Sequence, residues 1–532
     1  MATPDDGAIE QEGRRERGRL VARAGVVGAG TLASRVLGLL RDVTLAAIFD
    51  RDATDAWWVA FTIPNALRSL LGEGAISSAV VPVLSEKLAR EGDDAARRFF
   101  ARVRGVSLLA LAVVTVLGVL FARPLTELFA GGYHDRPGEF ERTVALTRVV
   151  FPYIFFMGTA ALGMAALNAN RRFAVAAFAP GLLNVALVAA AFAALGAEGD
   201  RVRWLACGAL AGGLLQVAAQ WPALRRIGYA GRPALSLDAD VRKVLRRIAP
   251  LTFGIGIYYV DLVLSRRFLS ELGTGAQSYF SWAMRLCDFP QGIFVMALST
   301  AALPSLSTLA AKGARGELVK TWAHGMGLAM FVALPASAAL VVLGEPIVVA
   351  LFQRGEFDAR AAHETARALL WQGGAIWTVA AVRQTVPAFY ALGDTRTPVV
   401  VSAVDLCAFI ALAVALRGPM GHVGISVAVA GSSAVQMALL LVGLRWRLGA
   451  IGGRALATSM ARTLAASLVA AAAGWGAARA LAPDGPAGGV ARALPGVAGM
   501  AAFTVVFLVA ARILRAPELA EIMAAVRRRL GR

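Results

Sequence analysis

The chain has 532 residues, of which 58% are hydrophobic and only 17% are charged, and its mean hydropathy is +0.63. A soluble globular domain is roughly 45–50% apolar and 25% charged, so the charges are too few to cover a water-soluble surface of this size. This composition excludes soluble, disordered, collagen-like and disulfide-rich proteins. It predicts an all-α polytopic membrane protein.

The net charge is +19, with 54 Lys and Arg against 35 Asp and Glu. Such a basic balance suggests nucleic-acid binding in a soluble chain. Membrane proteins, however, concentrate Lys and Arg in their cytoplasmic loops, so we expect no nucleic-acid partner. The three cysteines, Cys207, Cys287 and Cys407, lie far apart in apolar stretches. They indicate neither a disulfide framework nor a metal site.

Apolar stretches of about 20 residues predict transmembrane helices. The sequence has fourteen: 24–48, 55–85, 103–122, 143–169, 173–196, 203–224, 248–270, 275–309, 318–342, 361–391, 397–416, 421–444, 457–481 and 490–514. Spans two, eight and ten are overlong and contain internal Pro or Gly, namely Pro64 with Gly72, Pro290 with Gly292, and Pro387. We expect tilted or broken helices there, which are tolerated where they line a cavity inside the protein.

The distribution of Lys and Arg predicts the orientation of the chain. The two loops richest in them, 86–102 and 225–247, fall on the same side of the membrane, together with Arg527–Arg529 near the C-terminus. The positive-inside rule therefore places both termini in the cytoplasm. We expect the protein in the inner (plasma) membrane. Residues 1–23 are Arg-rich and lack the short apolar core of a signal peptide, so they are predicted to be a cytoplasmic tail. Residues 516–532 are predicted to be a second, basic cytoplasmic tail.

Matching segments 222 residues apart indicate an internal repeat. Ala75–Ala79 resembles Ala297–Ala301. In the same way, the segment that begins at Arg123 resembles the one at Glu345, and the segment that begins at Ala166 resembles the one at Ala388. Six spans per repeat give both halves the same topology, so we predict two six-helix lobes related by a pseudo-two-fold axis along the membrane normal. These are an N-lobe at 24–247 and a C-lobe at 248–450, followed by two extra helices at 451–515.

Enzymatic motifs are missing from the sequence. It has neither a Walker A loop nor a G-x-S-x-G elbow, and its four histidines are scattered. We therefore expect a transporter and not an enzyme, with no cofactor and no metal centre.

Six arginines fall within predicted spans: Arg35, Arg41, Arg68, Arg148, Arg285 and Arg383. An Arg at the bilayer centre costs about 2.5–3.5 kcal/mol, so most of them must face a hydrated cavity. Arg148 is near a helix end and is expected to reach the headgroups, whereas Arg383 fits either environment. Arg68 and Arg285 lie beside the breaks of spans two and eight, where a transporter's substrate site is expected.

Acidic residues offset only part of this positive charge. Those in or at the ends of spans are Asp42, Asp55, Glu73, Asp261, Asp288 and Asp405. Asp42 directly follows Arg41 and could orient a guanidinium. The first lobe's cavity remains cationic, which selects an anion, and Arg binds phosphate through two parallel hydrogen bonds.

These residues resemble the MurJ (MviN) lipid II flippases, which share a superfamily with the multidrug and toxin extruders. The segments that carry the resemblance are Ser34–Gly38 with Arg41-Asp42, Ala53–Ala56, Pro64–Arg68, Glu73–Ala75, Ala177–Asn184, Arg285–Pro290 and Phe389–Thr395. They lie within residues 24–450. The resemblance implies export of the undecaprenyl-pyrophosphate-linked peptidoglycan precursor (lipid II) from the inner to the outer leaflet by alternating access through a central cationic cavity.

The resemblance also implies roles for particular residues. The family's cavity arginines match Arg35, Arg41, Arg68 and Arg285, which are predicted to bind substrate. Gate or partner acids are predicted at Asp42, Asp55, Glu73 and Asp288. The last two helices, within 451–515, are expected to form a groove for the lipid tail.

Some family members carry a sodium-linked carboxylate just before an Arg, where this chain has Ser265 before Arg266. Asp261 and Asp405 are therefore only a candidate ion site, and the coupling ion and the contribution of the membrane potential stay open. Two rival functions remain within the superfamily: a flippase for another undecaprenyl-linked glycan, or a multidrug cation antiporter, which would require an acidic cavity. The expected partners are lipid II, membrane lipids and cell-wall synthases, and the expected state is a monomer.

Overall fold

The structure, a computed structural model, describes residues 28–68, 75–254, 256–483, 485 and 488–529. These residues are helical throughout, with short connections and no strand among them. They form two compact units. Unit 1 contains the described residues up to Phe49 together with Ala56–Tyr259, and unit 2 contains Asp50–Asp55 and the described residues from Val260 onward.

The helices follow one another along the chain with short connections between them. They are α1 (28–48), α2 (Arg51–Arg68), α3 (Ala75–Arg90), α4 (Asp93–Leu120), α5 (Ala122–Ala130), α6 (Glu139–Val150), α7 (Tyr153–Ala169), α8 (Phe173–Phe178), α9 (Gly181–Ala193), α10 (Arg203–Arg226), α11 (Ala239–Gly254), α12 (Gly256–Ser270), α13 (Ala276–Pro290), α14 (Met296–Ala311), α15 (Arg315–Val342), α16 (Gly344–Phe352), α17 (Ala359–Gly374), α18 (Ile376–Ala391), α19 (Arg396–Met420), α20 (His422–Leu448), α21 (Gly453–Ala480), α22 (Gly489–Ile513) and α23 (Pro517–Arg529).

The helix bounds repeat at the spacing that the sequence matches indicate. Adding 222 to the bounds of α4 gives those of α15, and the same shift converts α5 into α16. The same shift brings the bounds of α3 to within a few residues of those of α14, and the bounds of α10 to within a few residues of those of α20. The two units therefore follow one structural plan. The short helices α5 and α16 escaped the sequence analysis because nine residues are too few to give a spanning signal.

Every predicted span overlaps one or more of these helices. Among the described residues, eight helical segments are long and apolar enough to cross a membrane: 93–120, 139–169, 173–196, 315–342, 396–420, 422–448, 453–480 and 489–513. The all-α polytopic fold is thus confirmed. The count of fourteen and the lobe bounds stay predictions.

The break predicted in span eight falls where it was expected. Helix α13 ends at Pro290, a π-helical turn covers Gln291–Val295, and α14 continues from Met296. A π turn is frequently found at functional sites. In span two, α2 continues past Pro64 to Arg68, and Gly72 lies outside the described residues, so the break predicted there stays a prediction.

The break in span ten lies elsewhere than expected. The α17–α18 boundary is at Ala375, after Gly373 and Gly374, whereas Pro387 lies inside α18. A proline removes the N–H that would bond to the carbonyl four residues earlier, here that of Arg383. The hydroxyl of Ser299 on α14 donates to this carbonyl at 2.7 Å instead. The helix therefore continues through Pro387.

Each unit has an apolar core of its own. In unit 1, α3, α4, α7 and α11 contribute to a cluster that includes Phe99, Phe100 and Leu162, all at most 2% exposed. In unit 2, Leu269 and Phe409 are the centre of a cluster formed by α12, α13, α19 and α20. Helices α21 and α22 approach closely through small residues; a Cβ on Gly474 would lie 2.8 Å from the carbonyl oxygen of Gly499. The predicted lipid-tail groove along this hairpin stays a prediction.

Candidate functional site

A buried ion pair on α1 is the centre of the candidate site in unit 1. Arg41 and Asp42 are 8% and 0% exposed. The Arg41 guanidinium donates to Oδ1 of Asp42 from Nε at 2.9 Å and from Nη2 at 2.7 Å. Its Nη1 donates to Oδ1 of Asn184 on α9 at 3.0 Å. Taking two charges out of water is costly, and excellent geometry with additional hydrogen bonds is what offsets that cost.

Asn184 holds α9 against α1. Its Nδ2 donates at 3.0 Å to the carbonyl of Ser34. No role was predicted for Asn184, although it belongs to the motif Ala177–Asn184. The available signal was a single polar side chain in an otherwise apolar helix, which in a membrane protein marks an interhelical hydrogen bond.

Arg41 keeps hydrogen-bonding capacity for a ligand. A guanidinium has five N–H donors, and the three bonds to Asp42 and Asn184 leave one donor on each terminal nitrogen. Arg35 is half-buried on the same helix. It lies seven residues before Asp42, so the two side chains share one face of α1 about two turns apart. The α1 face therefore presents positive charge held in a fixed position.

Arg68 occupies the last position of α2. It is half-buried, and its Nε donates to Oδ1 of Asn65 at 3.0 Å. This bond holds the guanidinium to its own helix one turn after Pro64. The predicted gate acid Glu73 lies outside the described residues.

Asp55 belongs to unit 2, although most of its helix belongs to unit 1. It is 0% exposed and accepts from the backbone N–H of Gly275 at 2.7 Å and of Ser278 at 2.9 Å. The Ser278 hydroxyl donates to the same carboxylate at 2.6 Å. Asp55 thus caps the first turn of α13, where a carboxylate satisfies unpaired N–H groups and complements the helix dipole.

The residues beside Asp55 strengthen this contact. Thr274 donates to Asp52 at 2.9 Å. The guanidinium of Arg51 lies 4.8 Å from the ring centre of Trp282 and 5.0 Å from that of Phe357, at distances typical of cation–π contacts. The segment 50–55 is consequently held to α13 by polar and aromatic contacts.

Arg285 and Asp288 lie near the end of α13, just before the π turn. Their side chains are 37% and 48% exposed, and the closest charged atoms are 3.8 Å apart. Such a partly exposed pair is held loosely. Arg285 is therefore far less enclosed than Arg41.

Unit 2 also contains a buried arginine that was not predicted as a site residue. Arg266 is 8% exposed and donates from Nη1 to Gln277 at 2.9 Å and to Ser281 at 2.7 Å. Gln277 donates back to the backbone carbonyl of Arg266 at 2.7 Å. The network joins α12 to α13. Polar residues four apart on one face of α13, Gln277 and Ser281, were the available sequence signal.

The two carboxylates of the candidate ion site come together in unit 2. Asp261 on α12 and Asp405 on α19 are both half-buried and interact electrostatically. The Ser432 hydroxyl on α20, which donates to the Val429 carbonyl at 3.3 Å, lies beside Asp405. Oδ1 of Asp405 is buried and has no hydrogen-bond partner among the described residues. Carboxylate and hydroxyl oxygens are ligands that hard cations prefer.

Of the remaining span arginines, Arg148 is exposed near the end of α6. Arg383 is half-buried on α18.

Comparison with known proteins identifies relatives over most of the chain. A family model described as "Lipid II flippase MurJ" matches residues 45–488. The probable lipid II flippase MurJ of Bdellovibrio bacteriovorus is 33% identical over 437 residues, which cover 81% of this chain and 83% of that protein. The lipid II flippase MurJ of Burkholderia cenocepacia is 34% identical over 430 residues, covering 79% and 83%.

Solved structures share the fold. A lipid II flippase MurJ in an inward closed conformation superposes with a TM-score of 0.72 at 20% identity, covering 92% of this chain and 99% of that one. An inward-facing multidrug resistance transporter of the MATE family, in the MOP superfamily, gives a TM-score of 0.66 at 14% identity, covering 79% and 96%.

Fold and buried intramembrane charge together define a multi-pass membrane transporter with the architecture common to these two proteins. Within that class the family match is specific. The chain belongs to the MurJ family of lipid II flippases.

Proposed function

We propose that this protein moves lipid II, the undecaprenyl-pyrophosphate-linked peptidoglycan precursor, from the inner to the outer leaflet of the membrane. The observation that carries the proposal is the buried Arg41–Asp42–Asn184 cluster, found in a chain that belongs to the lipid II flippase family. Positive charge in a low-dielectric setting attracts a pyrophosphate strongly. A multidrug cation antiporter would need the opposite charge on α1.

In this proposal the chain binds and releases its substrate without making or breaking a covalent bond. The two remaining N–H donors of Arg41 bind the anionic headgroup, together with the guanidinium of the half-buried Arg35. Arg68 and Arg285 act on the same substrate, as the resemblance implies, and the two lobes alternate in exposing it to the two leaflets. The protein works as a monomer in the inner membrane with both termini in the cytoplasm, and it supplies the cell-wall synthases.

The proposal is tested by complementation in a strain depleted of its own lipid II flippase. Arg35→Ala, Arg41→Ala and Arg285→Ala should each fail to sustain growth, because losing one charge-assisted hydrogen bond weakens binding about tenfold or more. Lysine keeps the charge but not the planar fork, so Arg→Lys should rescue growth only in part. Immunoblots of the membrane fraction confirm that each variant is inserted.

Arg148→Ala is the matched control, since it removes an exposed arginine near a helix end. Normal growth of all three alanine variants would refute the assignment of the arginines, and so would an Arg148→Ala variant that fails as they do.

We further propose that the membrane potential drives export. Moving one charge across 100 mV is worth about 2.3 kcal/mol, so a dianionic pyrophosphate gains roughly 4–5 kcal/mol on leaving a negative interior. Dissipating the potential at a constant sodium gradient should stop the appearance of lipid II in the outer leaflet. Export that continued under this condition would contradict the proposal.

The alternative driving force is a cation bound at Asp261 and Asp405. Export would then depend on the sodium gradient at constant potential, and Asp405→Asn should remove that dependence. Changing the membrane potential and the sodium gradient independently, together with the Asp405→Asn variant, therefore distinguishes the two driving forces.

A further inference from the structure

A cavity of about 320 Å³ lies within unit 1, formed by α4, α7, α10 and the loop that follows α10. Its lining combines apolar and polar groups, including Arg104, Leu108, Gln220, Trp221 and Arg232. None of the predicted substrate arginines of α1 and α2 lines it. The flippase function therefore leaves this cavity without a role.

The loop that forms one wall is fastened to α4. Arg104 is buried and donates from Nη1 to the carbonyl of Tyr229 at 3.0 Å and from Nη2 to that of Gly231. The N–H of Ala234 donates to the carbonyl of Ala101 at 2.9 Å. The loop passes so close to α4 at Gly105 that a Cβ there would collide with the backbone of Ala234. These contacts hold the loop against α4, so this wall of the cavity belongs to the folded structure.

The polar floor of the cavity lacks hydrogen-bond partners in the part of the chain that the structure describes. Gln220 is 1% exposed, yet neither its amide nitrogen nor its amide oxygen has a hydrogen-bond partner among the described residues. Its amide oxygen occupies the space that Gly163 leaves by having no side chain. An unsatisfied buried amide is costly and rare in native proteins. One that lines a cavity is suited to a ligand that both accepts and donates hydrogen bonds.

The charge and the position of the cavity restrict that ligand. Arg232 lines the rim and is exposed, and Nε of Arg104 is buried with no hydrogen-bond partner in the described part of the chain. Trp221 is 45% exposed beside them, as expected for an aromatic ring at a membrane interface. Basic pockets between transmembrane helices on the cytoplasmic side bind anionic headgroups. The loop 225–247 is predicted to face the cytoplasm.

We propose that this cavity binds an anionic glycerophospholipid of the phosphatidylglycerol type from the inner leaflet. The phosphate lies between Arg232 and Nε of Arg104 and accepts from the Gln220 amide nitrogen. A headgroup hydroxyl donates to the Gln220 amide oxygen, which explains why both amide atoms lack protein partners. The acyl chains leave along Leu108 and Trp221 toward the bilayer.

The test measures thermal unfolding of the purified full chain in neutral detergent while dioleoyl phosphatidylglycerol, dioleoyl phosphatidylcholine or glycerol 3-phosphate is added. Phosphatidylglycerol should raise the melting temperature at lower concentration than phosphatidylcholine. Glycerol 3-phosphate has the headgroup charge without the chains and should have no effect. If it stabilises the protein as well as the lipid does, or if the two lipids act alike, the proposal is wrong.

Two variants and one control locate the site. Arg232→Ala should raise the half-saturating phosphatidylglycerol concentration about tenfold, as expected for one charge-assisted hydrogen bond. The control Arg226→Ala removes an exposed arginine from the last turn of α10 that does not line the cavity, and its half-saturation should stay unchanged. Equal losses in the two variants would reduce the effect to general surface charge and overturn the assignment.

Gln220→Leu separates a ligand-binding role from a structural one. Because the amide has no hydrogen-bond partner among the residues that the structure describes, replacing it with an apolar group should leave the lipid-free melting temperature unchanged or higher. The same change should weaken the response to phosphatidylglycerol severalfold. A lower lipid-free melting temperature with an unchanged lipid response would show that Gln220 has only a structural role. These readouts do not involve lipid II, so their failure is distinct from failure of the flippase proposal.

Discussion

The α1–α9 contact of unit 1 and the α12–α19 contact of unit 2 lie at equivalent places in the 222-residue repeat. They carry different charged side chains, an arginine with an aspartate in the first and two aspartates in the second. The first contact joins Arg41, Asp42 and Asn184. In the second, Leu264 and Leu406 occupy the positions equivalent to Asp42 and Asn184, and they pack against the cluster that contains Phe409.

The reverse replacement is also present. Asp261 and Asp405 of unit 2 correspond to Leu39 and Leu183 of unit 1. Each helix pair thus keeps one polar cluster, at a different depth along its interface. The same arrangement of helices supports a cationic group in one unit and an acidic pair in the other. The comparison teaches that the repeat determines the architecture, while a few side chains per interface determine the charge that each helix pair carries.

The largest expected effect comes from breaking the unit 1 cluster. Arg41→Ala removes the cation that makes two hydrogen bonds to the buried Asp42 carboxylate, and breaking a buried ion pair typically costs about 3–5 kcal/mol of stability. The triple variant Arg41→Val, Asp42→Leu and Asn184→Leu copies the residues at the equivalent positions of unit 2. It should fold nearly as well as the natural chain, because a buried ion pair replaced by packed apolar groups is often neutral for stability.

Melting temperatures and immunoblots measure folding of these variants, and complementation measures function. The triple variant should reach the membrane and still fail to sustain growth. If it sustains growth, the cluster serves only to hold α1 against α9, and its role in substrate binding is refuted.

Much of this comparison could be predicted from the sequence, because its main signals are local. Apolar length located the helices, matches in register indicated the repeat, and charged residues in apolar stretches identified Arg41 and Asp42 as exceptional. Pro290 indicated the interruption between α13 and α14, since a missing N–H weakens the helix at that point.

Contacts between distant segments could not be predicted in the same way. Asn184 bonds to a residue 143 positions away, and Asp55 caps a helix 220 positions later. No periodicity in the sequence encodes which helices become neighbours. The break near Pro387 was misplaced for the same reason, because the donor that satisfies the Arg383 carbonyl comes from Ser299 on another helix.

A smaller difference between the units lies at the turn before α19. Asp394 accepts from the backbone N–H of Thr397 at 2.9 Å and from its hydroxyl at 2.6 Å, and Arg447 lies 2.6 Å away. Desolvation opposes ionisation, but the Thr397 hydrogen bonds and the charge of Arg447 outweigh it and lower the pKa of Asp394. The equivalent residue in unit 1 is Arg172, and α8 has no side-chain cap.

Asp394→Ala should lose about 1 kcal/mol of stability at neutral pH, as is typical for removal of a helix-capping side chain. Because the folded pKa is lowered, the ionised Asp394 stabilises the fold above its unfolded pKa of about 3.9, and this contribution is lost as the pH falls through the folded value. Asp394→Asn retains a capping oxygen but not the charge. Melting temperatures from pH 7 to pH 3 should show the advantage of the natural chain over Asp394→Asn shrinking as the pH falls below about 3.9. An advantage of unchanged size across this range would contradict this assignment.

The smallest expected effect concerns how α7 and α18 end. Both end in the same hydrogen-bonded turn: Arg171 and Arg172 donate to Asn168 and Leu167, as Gly393 and Asp394 donate to Tyr390 and Phe389. The turn requires a left-handed residue, and φ is 59° at Arg171 and 74° at Gly393. A side chain costs about 1–2 kcal/mol in this conformation, whereas glycine adopts it freely.

Arg171→Gly should therefore raise the melting temperature, and Gly393→Ala should lower it by a similar amount. No atom lies within 4 Å of a Cβ built at Gly393, so backbone strain alone would account for that loss. Arg171→Ala is the control, because it removes the same side chain and keeps the strain. The difference between Arg171→Gly and Arg171→Ala isolates the backbone contribution, expected at about 1 kcal/mol. Equal stability of these two variants would mean that the turn in unit 1 is unstrained, and that the equivalence of the two helix ends does not extend to their energetics.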